Sequence, residues 1–171
     1  MSSPRQFFGK YRGSVVNNVD PMQIGRIQAM VPDVSNTMLS SWAMPCVPVA
    51  GIQTGEFAVP PIGAGVWIEF EHGDPDYPIW TGCYWGSAAE VPALAQTIPP
   101  GLSGFAVQTM LMNGIVVSDV PGPTGGIMLK SAAGATIIVN DTGIYIQNSQ
   151  GASIIMTGPT VTINNGALVV V

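Results

Sequence analysis

The last third of the chain has the feature that most restricts how it can fold: short apolar runs that recur at close spacing. Residues 125–171 read GGIMLKSAAGATIIVNDTGIYIQNSQGASIIMTGPTVTINNGALVVV, with Gly or Asn turns between the runs. In each run the same two alternating positions are apolar, and this period of two is typical of a strand that buries one face. The predicted buried pairs are Ile127/Leu129, Ile137/Val139, Ile144/Ile146, Ile154/Met156, Val161/Ile163 and Leu168/Val170.

Such a repeat is not expected to be stable as one short strand per turn, because its apolar face and its hydrogen-bonding edges would stay uncovered. A solenoid made by one chain would use two or three strands per coil and would have only about two or three coils, where roughly three repeats are usually needed. Three chains wound around one axis would bury all three apolar faces together. The sequence therefore favours an intertwined homotrimeric β-helix, a needle whose core is formed by these pairs. A single-chain solenoid remains the alternative.

The other face of the same runs is predicted to face water. It carries polar side chains such as Lys130, Thr136 and Gln147. Met128 and Ile138 are exceptions on that face, but single exposed apolar residues are common on protein surfaces.

The first half of the chain has a different pattern, with alternating segments separated by turn residues. Gly and Pro are abundant, at 21 and 15 residues, which favours short strands over helices. A small barrel covers the edges that a flat sheet would expose. The predicted strands are residues 11–17, 25–30, 43–49, 65–71 and 79–85. We expect a barrel with an N-terminal arm over residues 1–86, an Ala- and Pro-rich linker over 87–101, and the needle over 102–171.

Residues 65–85, GVWIEFEHGDPDYPIWTGCYW, are predicted to form a β-hairpin with an acidic loop. Proton-transfer chemistry would need groups of the kind found there, so the loop is the candidate catalytic cluster. However, Gly, Pro and Asp are also what a tight turn requires, and no GxSxG, P-loop or HExxH motif occurs in the sequence. We interpret the cluster as a solvated loop or a subunit contact, and we expect no enzymatic activity. Its members are Glu69, Glu71, His72, Asp74 and Asp76.

Charged residues make up only 9% of the chain, and the formal net charge is −5. The five basic residues form no dense cluster that could neutralise several phosphates, so nucleic acid is not an expected partner. Cys46 and Cys83 belong to no CxxC pair and are interpreted as buried small residues rather than a disulfide. With His72 they are too few for a zinc site, and no metal or cofactor is expected.

No apolar run approaches the roughly 20 residues of a membrane-spanning helix. The N-terminal residues MSSPRQFFGKYRG lack the apolar core of a signal peptide. We therefore expect synthesis in the cytoplasm without a signal peptide.

The first half also resembles a known family as a whole. The segments GKYRGSVVNNVDPMQIGRIQAMVP, WAMPCVPVAG and PPIGAGVWIEFEHGDPDYPIWTG follow one another between Gly9 and Gly86. Together they resemble the OB-fold domain of the central spike of contractile machines, the family of baseplate assembly protein V and valine-glycine repeat protein G. The resemblance implies an all-β protein, with a five-stranded OB-fold barrel followed by a trimeric β-helical needle.

The function implied by the resemblance is structural. It is that of the central spike at the tip of the inner tube of a contractile phage tail or a related contractile injection system, which transmits force to pierce the target envelope. The expected partners are tube or hub proteins at the barrel end, a PAAR-like tip protein at the C-terminal end, and transiently the target membrane. Two features of some family members are absent from this sequence: a lysozyme-like domain, and histidines after His72 that could form a metal-binding apex.

The tip protein is expected to bind the last repeat of the needle. The last layer of a stack of strands exposes unpaired backbone groups, and here it also exposes apolar side chains. The residues of this predicted site are Leu168, Val169, Val170 and Val171.

Aromatic residues on the barrel hairpin allow an alternative function. OB-folds often bind oligonucleotides or sugars, and aromatic rings can stack on both. Carboxylates surround these rings, however, whereas a nucleic-acid groove needs positive charge. We interpret the rings as hairpin or interface residues and keep a binding module for oligosaccharide or single-stranded nucleic acid as the alternative. They are Trp67, Trp80, Tyr84 and Trp85, with Tyr77 nearby.

Overall fold

The computed structural model describes residues 5–171, so the first four residues of the predicted N-terminal arm lie outside the described residues. Nearly all of the regular structure is β, which confirms the predicted fold class. The chain divides into two compact units between Ala88 and Ala89.

The first unit contains seven strands, one short α-helix and a 3₁₀ turn. The helix α1 spans Pro32–Ser35, and the 3₁₀ turn spans Glu71–Gly73. The strands are β1 Tyr11–Asn17, β2 Gln28–Met30, β3 Met44–Pro45, β4 Ala50–Gly51, β5 Thr54–Gly55, β6 Gly65–Phe70 and β7 Pro78–Tyr84.

Five of these strands form a curled sheet in the order β2-β1-β6-β7-β3. All pairs are antiparallel except β3 with β7, which is parallel. An antiparallel bridge between Ile27 and Ala43 joins the segment before β3 back to the segment before β2. This bridge closes the sheet into a small barrel of the OB type.

The barrel core follows from the alternation of β6, where Val66, Ile68 and Phe70 point inward and are buried. Trp80 of β7 is also buried, and its indole Nε1–H donates to the Gly25 carbonyl at 3.0 Å, which satisfies the ring's one polar atom. Each fully buried side chain of this size contributes about 1.5–3 kcal/mol to folding. The remaining core residues are Val15, Ile27, Ala29, Val31 and Ala43.

Two parts of this unit differ from the sequence prediction. The strand predicted over residues 43–49 is reduced to Met44–Pro45, since Pro45 and Pro48 have no N–H to donate to a ladder. A short hairpin, β4–β5, occurs where the sequence predicted only turn. Ile52 in its turn exposes 97% of its surface.

The second unit contains eight strands and several single 3₁₀ turns. The 3₁₀ turns are Ala88–Glu90, which straddles the division, Ala95–Thr97, Gly122–Thr124 and Asn164–Gly166. The strands are β8 Gly104–Gln108, β9 Gly114–Ser118, β10 Gly126–Lys130, β11 Thr136–Asn140, β12 Gly143–Gln147, β13 Ser153–Thr157, β14 Thr160–Ile163 and β15 Leu168–Val170.

These strands pair in sequence order, from β8 to β15, as one antiparallel meander. Each strand from β9 to β14 therefore has both hydrogen-bonding edges covered by its own chain, and only β8 and β15 are edge strands of this sheet. The expectation that every strand needs edges from other chains is thus wrong. The need to cover the apolar face remains, and the winding of three chains around each other stays a prediction.

The candidate interaction face of the C-terminal sheet

One face of the β8–β15 sheet consists of two unbroken rows of apolar side chains, which we call the aliphatic face. Every pair in each row is set directly opposite by the strand register. The first row is Val107, Ile115, Leu129, Ile137, Ile146, Ile154, Ile163 and Leu168. The second row is Phe105, Val117, Ile127, Val139, Ile144, Met156, Val161 and Val170.

All the residues predicted to form the needle core lie on this face. The sequence reasoning missed its first four members, which β8 and β9 contribute. The same alternation is visible in GFAVQ and GIVVS, but the connection between them, TMLMN, is itself apolar and hides the strand boundaries. The missed residues are Phe105, Val107, Ile115 and Val117.

The aliphatic face is uncovered in one chain. Ile127 exposes 47% of its surface and Ile137 exposes 43%, although most residues in these rows are β-branched and suited to packing. A concave groove of about 830 Å³ runs along the first row. A continuous apolar surface of this extent is typical of an interaction site.

The opposite face is only partly polar. Its central row includes Val116, Met128, Ile138, Tyr145 and Ile155, each aligned with the next by register. Rows of small or polar residues, such as the threonines and glycines at the strand ends, lie on both sides of it. The expected solvent-facing surface is therefore present at the strand ends, but its centre is a third apolar row.

Part of the predicted linker covers the start of this opposite face; we call residues 92–98 the strap. Leu94 is only 5% exposed, and its N–H donates to the Gln108 Oε1 at 3.0 Å. A Cβ atom on Gly114 would lie 2.2 Å from the Leu94 Cδ1, and one on Gly104 would lie 2.4 Å from the Ile98 Cδ1. Glycine at these two positions leaves the space that the strap occupies.

Polar side chains in the turns tie the hairpins of the sheet to one another. The Asn113 Oδ1 accepts from the Ala132 N–H at 2.9 Å, although 19 residues separate them. The Asp141 Oδ2 accepts from the Gly122 N–H at 3.0 Å across a similar separation. These bonds fix the stacking of successive repeats and keep the aliphatic face flat along its length.

The acidic loop of the first unit has the hydrogen bonds of a turn. The Asp76 N–H donates to the Asp74 Oδ1 at 3.0 Å, and the Glu71 N–H donates to the Tyr77 carbonyl at 3.0 Å. His72 has a φ of 53°, which belongs to the left-handed region and occurs mainly in turns. Glu69 forms an exposed ion pair with Lys10 instead of facing the loop. Within residues 5–171, no group of three or more His, Cys, Asp or Glu side chains is placed to hold a metal ion.

The four aromatic residues of the hairpin do not form one platform. Trp80 belongs to the barrel core. Trp67 and Tyr84 contact each other, with ring centroids 5.0 Å apart, and the Arg12 guanidinium lies over both rings at 5.6 and 5.3 Å. Trp85 is 62% exposed and lies beyond the end of β7. A subunit contact through Trp67, Tyr84 or Trp85 stays a prediction.

The two cysteines are free, as the sequence predicted, but the expectation that they are buried is wrong: both are exposed. Partial burial still raises the pKa of the Cys83 thiol above its usual value. None of the helices within residues 5–171 has the length and apolar character needed to cross a bilayer.

Two protein-family models match the chain. The model described as the type VI secretion system/phage-baseplate injector OB domain matches residues 11–85, which contain the barrel strands. The model described as the phage baseplate V C-terminal trimerisation domain matches residues 104–169, which contain the β8–β15 sheet. No curated protein matches the chain. A trimerisation domain whose aliphatic face is uncovered in one chain indicates a homotrimer, and the two matched domains in this order show that the chain belongs to the family of phage-baseplate and type VI injector spike proteins.

Proposed function

We propose that three copies of this chain form the central spike at the tip of the inner tube of a contractile phage tail or a related injection system. The observation that carries this proposal is the aliphatic face, sixteen apolar side chains in two register-matched rows, within the residues that match a trimerisation domain. In the trimer these rows meet along one axis and form its core. The predicted core residues from Ile127 to Val170 belong to them.

The spike acts mechanically. Contraction of the sheath drives the tube forward, and the trimer passes this force to the target envelope. A sheet whose strands are all joined by backbone hydrogen bonds and whose turns are tied by Asn113 and Asp141 resists sliding of one strand past another. The acidic loop takes no part in chemistry, and the protein is not an enzyme.

Its partners follow from the two units. The OB barrel binds the tube or hub proteins of the baseplate. The edge strand β15, with Leu168 and Val170 each 54% exposed, binds a PAAR-like tip protein by adding to the sheet edge or covering its apolar ends. The spike contacts the target membrane only during penetration, and it is made in the cytoplasm before assembly into the particle.

The proposal is tested by deleting the gene for this chain from the cell that makes the contractile particle. We expect particles to be absent or unable to make target cells permeable, measured by entry of an impermeant dye. Supplying the gene in trans restores both assembly and dye entry. Normal particles that admit dye in the absence of this chain would contradict the proposal.

A further inference from the structure

The β4–β5 hairpin of the first unit carries an apolar residue that nothing in its own chain covers. Ala50 pairs with Gly55 and Gly51 with Thr54, which leaves Ile52 and Gln53 in the turn. Gln53 has a φ of 54°, and Ile52 exposes 97% of its surface. A fully exposed isoleucine at the tip of a hairpin gains free energy from any apolar surface that receives it.

An apolar groove of about 510 Å³ lies beside the same hairpin. Its exposed lining includes Ile24, Met44, Val49 and Phe57, which expose between 41% and 72% of their surfaces. Trp80 lies at the groove's buried side and is held in place by its bond to the Gly25 carbonyl. A groove of this size and character suits one or two aliphatic side chains.

The hairpin tip does not occupy the groove of its own chain. Ala50, Thr54 and Gly55 form a wall of the groove, whereas Ile52 at the tip does not line it. The chain thus presents a protruding apolar residue and a separate apolar recess on one barrel. A surface of this kind is complementary to another copy in a head-to-tail arrangement.

Head-to-tail contacts form open fibres unless symmetry closes them. In this chain closure is supplied by the trimerisation domain over residues 104–169, which tethers exactly the number of copies that it joins. Tethering through a short connecting segment raises the effective concentration of the barrels to about the millimolar range, so even a weak apolar contact is populated. A second copy of this chain is therefore the occupant that the groove fits.

We propose that in the trimer the Ile52 side chain of each barrel inserts into the groove of the next copy, so that the three barrels form a closed ring. This contact is separate from the aliphatic face of the C-terminal sheet. It goes beyond the proposed spike function and requires only that three chains are joined.

The experiment uses the full chain with Cys46→Ser and Cys83→Ser, because both native thiols are exposed. A single Ile52→Cys is labelled with a benzophenone maleimide, illuminated, and separated on a denaturing gel. We expect covalent species of two and three chains, unchanged in yield over a tenfold dilution, with cross-linked peptides from residues 44–59 of the other chain. Adding Met44→Asp in the groove should lower this yield about tenfold, since a carboxylate there disfavours the apolar contact.

The matched control is Met38→Cys with the same label, since Met38 is also apolar and 70% exposed on this unit but does not line the groove. We expect it to give only single chains on the gel. The ring is contradicted if the Ile52→Cys label gives only single chains, or labels as readily as the control, in a sample whose native mass is that of three chains. A native mass of one chain would overturn the trimer itself and is read separately.

Discussion

One carboxylate organises the loop that leads into the second strand of the barrel. The Asp20 side chain, 4% exposed, accepts hydrogen bonds from the N–H groups of Met22 and Ile24 at 3.0 and 2.9 Å. It also accepts from the Arg26 N–H and pairs with the Arg26 guanidinium at 2.7 Å. The guanidinium and these backbone donors hold the pKa of Asp20 well below its usual range.

This lowered pKa gives the barrel a defined pH dependence. Because the folded-state pKa lies below the unfolded value of about 3.9, the contribution of Asp20 to stability is complete above that value and is lost as the pH falls below it. We expect Asp20→Asn to lower the melting temperature at pH 7 and to flatten its decline between about pH 5 and pH 2. Thermal unfolding across this range measures both effects. Asp33→Asn, an exposed site in α1, is the control, and equal pH profiles for the two variants would contradict this role of Asp20.

Adjacent residues on β12 test which face of the sheet the trimer buries. Ile146→Asp places one carboxylate per chain on the aliphatic face, where three of them meet without water, at a cost of several kcal/mol per trimer even after their pKa values shift. Gln147→Asp changes the opposite face, and we expect it to be tolerated. Sedimentation of the two variants distinguishes them. Equal trimer yields would mean that the register assigned to this strand is wrong, since a one-residue slip exchanges the faces.

At the scale of elements, the strap and the first two strands of the sheet act together. A Cβ on Gly114 would come within 2.7 Å of the Val107 carbonyl oxygen as well as 2.2 Å of Leu94, so Gly114→Ala forces the backbone to move. We expect it to destabilise the second unit by about 1–3 kcal/mol. This corresponds to a fall of roughly 4–8 °C in melting temperature per kcal/mol for a unit of this size.

Gly104→Ala is the matched control for that change. There the new Cβ meets only the side chain of Ile98, which can rotate away, so we expect a smaller loss. Calorimetry of both variants measures the difference. If Gly104→Ala proves the more destabilising, the strap does not lie over β9 as described.

The elements that the sequence predicted well are those with simple alternation between clear turns. β1 was predicted to the residue, and β6 and β7 within one residue at either end, because apolar and polar residues alternate there and Gly or Pro stands at their ends. The β4–β5 hairpin was missed because Gly51, Thr54 and Gly55 give no apolar alternation. The placement of the repeat strands on one face followed from period alone. Their pairing partners did not, since a period of two fixes which face a residue takes but not which chain supplies the next strand.

At the scale of the whole molecule, the two units contribute differently to assembly. The barrel has its own buried core, and the aliphatic face belongs entirely to the second unit. We expect a chain that ends at Ala88 to remain folded but to associate weakly, because the contact proposed for Ile52 then loses the tether that makes it effectively intramolecular. Circular dichroism and sedimentation at micromolar concentration test this. A shortened chain that is fully trimeric would place the main trimer contact in the barrel.

The other end of the molecule determines how the sheet is protected at its last strand. β15 is an edge strand with exposed backbone groups, and Leu168, Val169 and Val170 each expose 50% or more of their surfaces. Natural edges are blunted by charge, proline or a covering element, but no charged residue occurs after Asp141 in this sequence. An uncovered edge of this composition pairs with a partner or with itself.

We therefore expect the isolated spike to associate end to end, and to bind a PAAR-like protein encoded beside it. Deleting Leu168–Val171 should abolish both without dissolving the trimer, because the rows from β8 to β14 remain. Removing these residues exposes β14 as the new edge, whose Thr160 and Thr162 make it more polar than LVVV. Electron microscopy of the particle and pull-down with the purified tip protein measure the two effects. If the shortened spike binds the tip protein as tightly as the full chain, the tip protein binds elsewhere and the exposed β15 edge has another partner.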